Sequence, residues 1–316
     1  MLNFSCIFLH KFAAMQTVLL SKPDLFSFKE CLWFLDRNYD ECLHRIDAEA
    51  ITKAISLNGN PLVFTLEEDE KNILLKTENK ASSSENMDEL RRYVIDWMDM
   101  ERNIEPFYEL LKRDKKLSYM AKDFSGLRLI GIADLYETLC WCIIGQQINL
   151  SFAYKIKRRL VENYGRKLIT SKGEFLLFPE PETMAGITEE KLKELQFSRQ
   201  KANYIIYISK AFCEGRISQG KLSALKTTEE RLELLTSLKG IGEWTANYAL
   251  MKTLRDPDSV PYGDIGLLNA LSNHQLIRDR KDKKNMEKLF RKFEGWKSYL
   301  VFYLWRSLAS PSFQAK

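Results

Sequence analysis

A chain of 316 residues, 45% of them apolar, is long enough to bury one large core or two ordinary ones. Its 29% charged residues, with no apolar run of the length a bilayer demands, argue against a membrane-spanning protein, and six cysteines without a secretory signal are too sparse for a disulfide framework and point to the cytosol. The net charge of +5 is unevenly spread: residues 1–86 hold 9 Lys/Arg against 13 Asp/Glu, a net −4, whereas the remainder holds 39 against 30, a net +9, which places the attraction for a polyanion in the C-terminal part.

The opening residues, MLNFSCIFLHKFAAM, resemble a signal peptide only superficially. They lack a basic n-region, and His10 and Lys11 interrupt the apolar part. Residues 1–14 are expected to be an extension, with Met15 as the true start. Three β-patterned runs follow, QTVLL, PLVFTLEED and NILLKT, the last two separated by a charged turn. Among them FSFKECLWFLDR has helical spacing at Phe28, Leu32 and Leu35. The polar, serine-rich stretch Asn79 to Asn86 then marks a domain boundary. It divides an acidic α+β domain, residues 15–86, from a helical domain, residues 87–316, in which strand signals nearly vanish.

In that second part helix follows helix. IADLYETLCWCII sets Leu135, Leu139 and Ile143 on one face; SFAYKIKRRLVENYG is expected to start at a Ser cap and stop at Gly165; Ser198 caps RQKANYIIYISKAF. Thr227 with Glu230 forms a capping box, and GWKSYLVFYLWRSL is one more apolar helix. The fold class is therefore α+β: a small antiparallel sheet with helices, then a mostly helical core. Cys140 and Cys142 point to opposite sides of a helix, and His10, His44 and His274 are scattered. No zinc or iron-sulfur spacing is present, so neither a metal nor a cofactor is expected.

The most informative stretch is LTSLKGIGEWTANYAL, Leu235 to Leu250. A Gly-x-Gly turn joins a helix ending near Ser237 to one beginning near Glu243. Gly240 and Gly242 permit positive φ and let another backbone approach without a Cβ in the way. The amides of the turn and of the next helix's first turn point outward unpaired, which makes a receptor for a phosphate oxygen. Taken alone, the turn is better read as an ordinary helix-helix connection with structural glycines.

Three further features bear on that choice. The segment Leu238 to Ala246 follows the pattern L-x-G-[IV]-G-x-x-T-A, VPYGDIGL supplies Pro261 and Asp264 at Pro-x-x-Asp spacing, and IIGQQINL carries a Gly-Gln junction upstream. Together they resemble the helix-hairpin-helix superfamily of DNA glycosylases, and the acidic α+β domain and GWKSYLVFYLW resemble the branch typified by DNA-3-methyladenine glycosylase II. The resemblance covers nearly the whole chain after Met15.

It implies a partner, double-stranded DNA carrying damaged bases, and a monomer at work in the bacterial cytosol or nucleoid, with no membrane. The hairpin, Lys239, Gly240, Ile241, Gly242 and Thr245, would grip phosphate, aided by Arg199 and Lys201. Either Gln146 or Gln147 would fill the stack vacated by the flipped base; the sequence leaves both open. A monovalent cation on hairpin carbonyls is a further implication.

Cleavage of an N-glycosidic bond develops positive charge on C1′ and the ring oxygen, so a fixed carboxylate beside the sugar is useful. Asp264, at a helix start where the dipole favours an anion, is the candidate catalytic residue; Asp256 and Asp258 read as turn residues. In bifunctional members a lysine two residues after the second glycine attacks C1′. Here that position is Trp244, which is no nucleophile, so the expected enzyme is monofunctional with water attacking. Trp244, Tyr248 and Trp296 match aromatic pocket positions suited to cationic alkylated purines such as 3-methyladenine and 7-methylguanine, while Tyr207, Phe302 and Trp305 are assigned to the core. Two alternatives remain: a superfamily glycosylase for another lesion such as 8-oxoguanine, and a non-catalytic DNA-binding protein.

Overall fold

The computed structural model describes residues 16–36, 39–77 and 84–309. The expected extension 1–14, the start at Met15 and most of the serine-rich break lie outside those residues. Five strands, β1 (Gln16–Ser21), β2 (His44–Asp47), β3 (Ala50–Leu57), β4 (Asn60–Glu68) and β5 (Asn72–Thr77), form one sheet of order β1-β5-β4-β3-β2 with every pairing antiparallel. The β3–β4 hairpin turns on Asn58 and Gly59 at φ 48° and 77°, the pair of left-handed residues that an Asn-Gly type I′ turn requires. Leu66 lies opposite Leu75, which lies opposite Val18, so one row of the pleat is apolar across three strands. Helix α1 (Phe28–Leu35) bridges β1 and β2 and buries Phe28, Cys31 and Leu32, the face its spacing predicts. The β2–β3 hairpin was not expected; only its short alternation marks it.

Helices α2 (Ser84–Trp97), α3 (Glu105–Arg113) and α4 (Met120–Asp123) come next, then α5 (Leu135–Gly145) and α6 (Leu150–Tyr164). Helix α6 is capped by Asn149, whose side chain accepts from Phe152 N at 2.8 Å, and not by the serine two residues later. A small hairpin, β6 (Lys167–Thr170) and β7 (Gly173–Leu176), follows where no strand was expected. The chain continues through α7 (Pro181–Ala185), α8 (Glu189–Glu194), α9 (Arg199–Cys213), α10 (Gln219–Ala224), α11 (Thr228–Thr236) and α12 (Glu243–Ala249). A π-helical turn, Leu250–Leu254, extends α12 before α13 (Ile265–Asn273), α14 (Lys283–Lys292) and α15 (Lys297–Ser307). Ser198 and the Thr227–Glu230 box cap α9 and α11 as the sequence predicts.

Two large apolar cores divide these elements. The inner sheet face, α1 to α4 and α13 to α15 share one; α5 to α12 make the other. The chain passes from the first core to the second between Ile130 and Leu135, and returns between Leu250 and Met251. The two crossings are stitched together: Ile132 N donates to Lys252 O at 2.9 Å, the hydroxyls of Thr138 and Thr253 lie 2.8 Å apart, and the buried Lys252 ammonium donates to Ile130 O. Gly131 is there because nothing larger fits: a Cβ would stand 2.6 Å from the Arg255 guanidinium and 2.9 Å from Lys252 O. A cleft opens between the two halves at this seam. Among the described residues no helix is long and apolar enough to cross a membrane.

Candidate active site

Asp264 sits at the return side of the seam as the N-cap of α13. Its Oδ1 accepts from Leu267 N at 2.7 Å, which places the carboxylate on the positive end of the helix. The same oxygen accepts from Trp305 Nε1 at 2.9 Å. Among the described residues no hydrogen bond falls on Oδ2. One carboxylate oxygen is thus anchored twice, on a half-buried side chain; Asp264 itself lines neither the interdomain cleft nor the groove beside the hairpin. Gly266 permits the arrangement, because a Cβ there would lie 3.1 Å from Asp264 Oδ1 and 3.4 Å from Trp305 Cδ1.

The sequence assigns Trp305 to the core; it does pack against the first core, but only in part, and its polar edge goes to Asp264. Seven successive residues of α15, Ser298 to Leu304, are buried, but Trp305 is only half-buried and its indole N–H needs an acceptor. Its ring packs on Tyr248 at 6.0 Å, and Tyr248 on Trp244 at 5.6 Å. The result is a continuous aromatic wall ending at Asp264. Trp296, expected in that wall, is elsewhere: its ring stacks on Phe107 at 5.9 Å and meets Tyr299 edge-on at 5.6 Å. Trp296, the N-cap of α15, is nine positions before Trp305, about 13 Å along the axis. No local signal in the sequence distinguishes the two tryptophans, since the partner that defines Trp305 lies 41 residues upstream. Helix α1 braces this end of α15, with Glu30 accepting from Arg306 at 2.7 Å and the guanidinium lying 3.7 Å over the Trp33 ring.

The hairpin joins α11 to α12 as expected, with its two glycines in different roles. Gly240 has φ 93°, and a Cβ would strike the Tyr204 ring at 2.5 Å; it is demanded by packing. Gly242 has φ −95°, so positive φ is not its purpose, and a Cβ would meet nothing within 4 Å. It keeps an open, exposed approach to the first amides of α12. Ile241 and Thr245, 5% and 2% exposed, have side chains in the core, so only their backbone is available to a ligand.

Of the expected phosphate contacts, Lys201 donates to Ile144 O at 2.7 Å, with burial lowering its pKa, and Arg199 pairs with Glu189 at 3.2 Å. Lys239 is exposed on the turn. Gln146 Nε2 donates to Gly240 O at 3.2 Å, which ties the α5 terminus to the hairpin, whereas Gln147 is exposed and held at φ 56°. Both glutamines, with Lys201, Tyr204 and Gly242, line a groove of about 320 Å³.

Beyond Tyr248 the interdomain cleft holds about 270 Å³, the small end of the range for ligand sites. Tyr248, Lys252 and the β3 residues Lys53 to Ser56 are part of its lining. Its charges are arranged in pairs. Lys157, 8% exposed on its side chain, lies 3.1 Å from Glu41 and 3.6 Å from Glu137. Burial, the largest single influence, would raise the Glu41 pKa, but Lys157, His44 and the hydrogen bond from Leu43 N together outweigh it and hold the carboxyl at about 2. Burial pushes His44 down to about 4. Asp134, the N-cap of α5, accepts from Glu137 N at 2.6 Å; its side chain keeps an exposed edge, yet the protein crowded around the carboxyl raises its pKa to about 6, and the neighbouring Glu137 charge adds to this. The sequence marks none of these charges as a site, because they converge from the segment before β2, from β2 itself, and from α5 and α6.

Among the described residues no group of His, Cys, Asp and Glu is placed to hold a metal. The carbonyls of Leu238, Gly240 and Gly242 already accept from Ile241 N, Gln146 Nε2 and Ala246 N, so a monovalent cation at the hairpin would have to share them.

Residues 140–294 match the model of the HhH-GPD superfamily base excision DNA repair proteins, and residues 41–139 that of the 8-oxoguanine DNA glycosylase N-terminal domain. The DNA-3-methyladenine glycosylase of Bacillus subtilis (strain 168) is 33% identical over 296 residues, covering 93% of this chain and 97% of that protein. DNA-3-methyladenine glycosylase 2 of Escherichia coli (strain K12) is 26% identical over 183 residues, which span 57% of this chain and 60% of that one. In structure, the 3-methyladenine DNA-glycosylase from Archaeoglobus fulgidus superposes with a TM-score of 0.80 at 24% identity, over 92% of this chain and 98% of that chain. The Clostridium acetobutylicum 8-oxoguanine glycosylase/lyase, solved with duplex DNA, gives 0.73 at 17% identity over 92% and 97%. With a sheet domain, a hairpin and a helix-capping aspartate in this order, the chain belongs to the HhH-GPD superfamily of base excision DNA repair proteins and is a DNA N-glycosylase.

Proposed function

We propose that this enzyme is monofunctional and releases alkylated purines, of the 3-methyladenine and 7-methylguanine class, from duplex DNA with water as the nucleophile. The observation that carries the reading is Asp264 with one oxygen fixed by Leu267 N and Trp305 Nε1 and the other unoccupied, beside a tryptophan at the position where lyase members of the superfamily carry lysine. As the glycosidic bond stretches, the free oxygen faces the developing charge on C1′ and orients water toward it. No amine is offered at Trp244, so no covalent intermediate forms and the strand is left intact with an abasic site.

The aromatic wall of Trp244, Tyr248 and Trp305 supports a cationic lesion. Stacking and cation–π attraction contribute on the order of 1 to 2 kcal/mol when desolvated, and cationic bases leave without strong acid catalysis. Gln147, exposed and already in a left-handed conformation, is the wedge; Gln146 is occupied with the hairpin. A second reading, excision of a neutral oxidised purine, draws on the N-terminal match to the 8-oxoguanine glycosylase domain.

The deciding experiment measures free-base release from methylated duplex and from 8-oxoguanine duplex, with wild type and Asp264→Asn. Release from methylated DNA that is lost in the variant, with no borohydride-trapped protein–DNA adduct, is the expected result. Release unchanged by the substitution, or a trapped adduct, overturns the mechanism; release from the 8-oxoguanine substrate alone favours the second reading.

A further inference from the structure

Residues 278–292 contain eight Lys/Arg against three Asp/Glu, a net +5 in one short stretch, equal to that of the whole chain. All eight cations are exposed. Helix α14 turns Met286, Leu289 and Phe290 inward, which leaves Lys284, Lys288 and Arg291, at i, i+4 and i+7, as one outward stripe. Like charges at this spacing repel, and the nearby carboxylates are spent on the backbone: Asp282 accepts from Asn285 N and Arg278 N, and Asp279 from Lys281 N. Among the described residues the sole ion pair from the stretch is Lys292 with Asp114. Glu287, exposed at the edge of the stripe, is the one carboxylate of the stretch left on that face and forms no ion pair among the described residues; a face with so large a positive excess is suited to a polyanion.

Its position identifies which one. Phe290 of α14 meets the ring of Tyr262 edge-on at 5.8 Å, and Tyr262 is two residues from Asp264. Arg280, just before α14, donates to Asn269 of α13 at 3.1 Å. The basic stripe is thus built onto the loop and helix that carry the catalytic aspartate. Tyr262 and Ile265, 47% and 65% exposed, flank Asp264 as uncovered apolar surface. The hairpin, by contrast, is on the other core, reached through α12 and Tyr248. A duplex lying across Asp264 would therefore meet a cationic surface from each half of the molecule.

We propose that α14 is a second phosphodiester-backbone grip, holding the duplex flank on the Asp264 side of the lesion while the hairpin holds the other. From Lys284 to Arg291 the stripe spans about 10 Å, over which one strand of B-form DNA presents about three phosphates. The proposal rests on the assignment of Asp264 to the reacting sugar for its direction, but its test needs no chemistry.

The test is the salt dependence of binding to an undamaged duplex by wild type and by the triple variant Lys284→Gln, Lys288→Gln, Arg291→Gln, with thermal melting confirming that both are folded. Each lost phosphate contact lowers the slope of log K against log salt by about 0.9, so a fall of about 2 to 3 is expected. The same charge change at Lys167, Lys210 and Lys221, on β6, α9 and α10, is expected to leave the slope as in wild type. A triple variant with the wild-type slope, or a control that loses as much, overturns the grip. Failure of base release by wild type would instead count against the proposed chemistry and leave the slope measurement standing.

Discussion

Trp305 Nε1 and Asp264 Oδ1 are 2.9 Å apart, and this contact joins the last helix to the N-cap of α13 across the first core. A hydrogen bond to a charged group contributes about 1.5 to 3 kcal/mol. Trp305→Phe keeps an aromatic ring against Tyr248 and removes only the donor. Single-turnover base release is expected to fall about 10- to 100-fold, with affinity for the damaged duplex changed far less. Release at the wild-type rate would mean that Leu267 N alone positions the carboxylate.

The two hairpin glycines are expected to fail in different ways. Gly240→Ala puts a Cβ at 2.5 Å from the Tyr204 ring at a φ of 93°, so both strain and overlap act, and a stability loss of about 2 to 3 kcal/mol is expected. Gly242→Ala meets no protein atom within 4 Å at a φ of −95°, so its melting temperature should match wild type. What it loses is duplex affinity, because the methyl occupies the approach to the α12 amides. Melting curves alongside binding isotherms for both variants separate the roles; an affinity for Gly242→Ala equal to wild type would remove the phosphate from that position.

How far the sequence reaches is visible in the same residues. Asp264, the hairpin and the aromatic pair Trp244 and Tyr248 lie within 27 residues of one another, on local patterns that caps and glycines announce. Trp305 and the cleft charges depend on which helices pack together. Here α2 to α4 join α13 to α15 across the chain, and Lys157 of α6 meets Glu41 from before β2. Periodicity reports which face of α15 is apolar; it is silent on Trp296 meeting Phe107 and Trp305 meeting aspartate. The β6–β7 hairpin escaped because its two strands have four residues each and Ile169 is 85% exposed, which leaves little alternation to detect.

Acid should destabilise the fold through the cleft. His44 titrates near 4 when folded against an ordinary 6.5, so the unfolded chain takes up the proton first and stability is lost as pH falls between those values. Glu41 titrates near 2 against 4.5, so its contribution is present above 4.5 and is lost as pH falls toward 2. Asp134, near 6 against 3.8, acts oppositely, since the folded state holds its proton more tightly and stability rises as pH falls through that window. Glu41→Gln leaves Lys157 with Glu137 alone and should cost about 3 kcal/mol at pH 7. The gap between wild type and this variant should narrow as pH drops from 4.5 toward 2. A gap that stays constant over that range would show that the Glu41 charge adds no stability.

The wedge prediction separates two adjacent residues by what each already holds. Gln146 spends its amide on Gly240 O, so Gln146→Ala loosens the α5 terminus from the hairpin and is expected to weaken binding of damaged and undamaged duplex alike. Gln147 lies exposed beside the groove at φ 56°, a conformation costly for a non-glycine residue and therefore one that the surrounding fold must enforce. Gln147→Ala removes the group that would occupy the vacated stack without touching the hairpin. An extruded base analogue in the duplex reports this directly: its fluorescence should rise on binding wild type and rise much less with Gln147→Ala, while non-specific affinity stays within about twofold. The loss should be smallest opposite an abasic or mismatched partner, where unstacking already costs less. Equal fluorescence for Gln147→Ala and wild type, with a deficit in Gln146→Ala instead, would reverse the assignment.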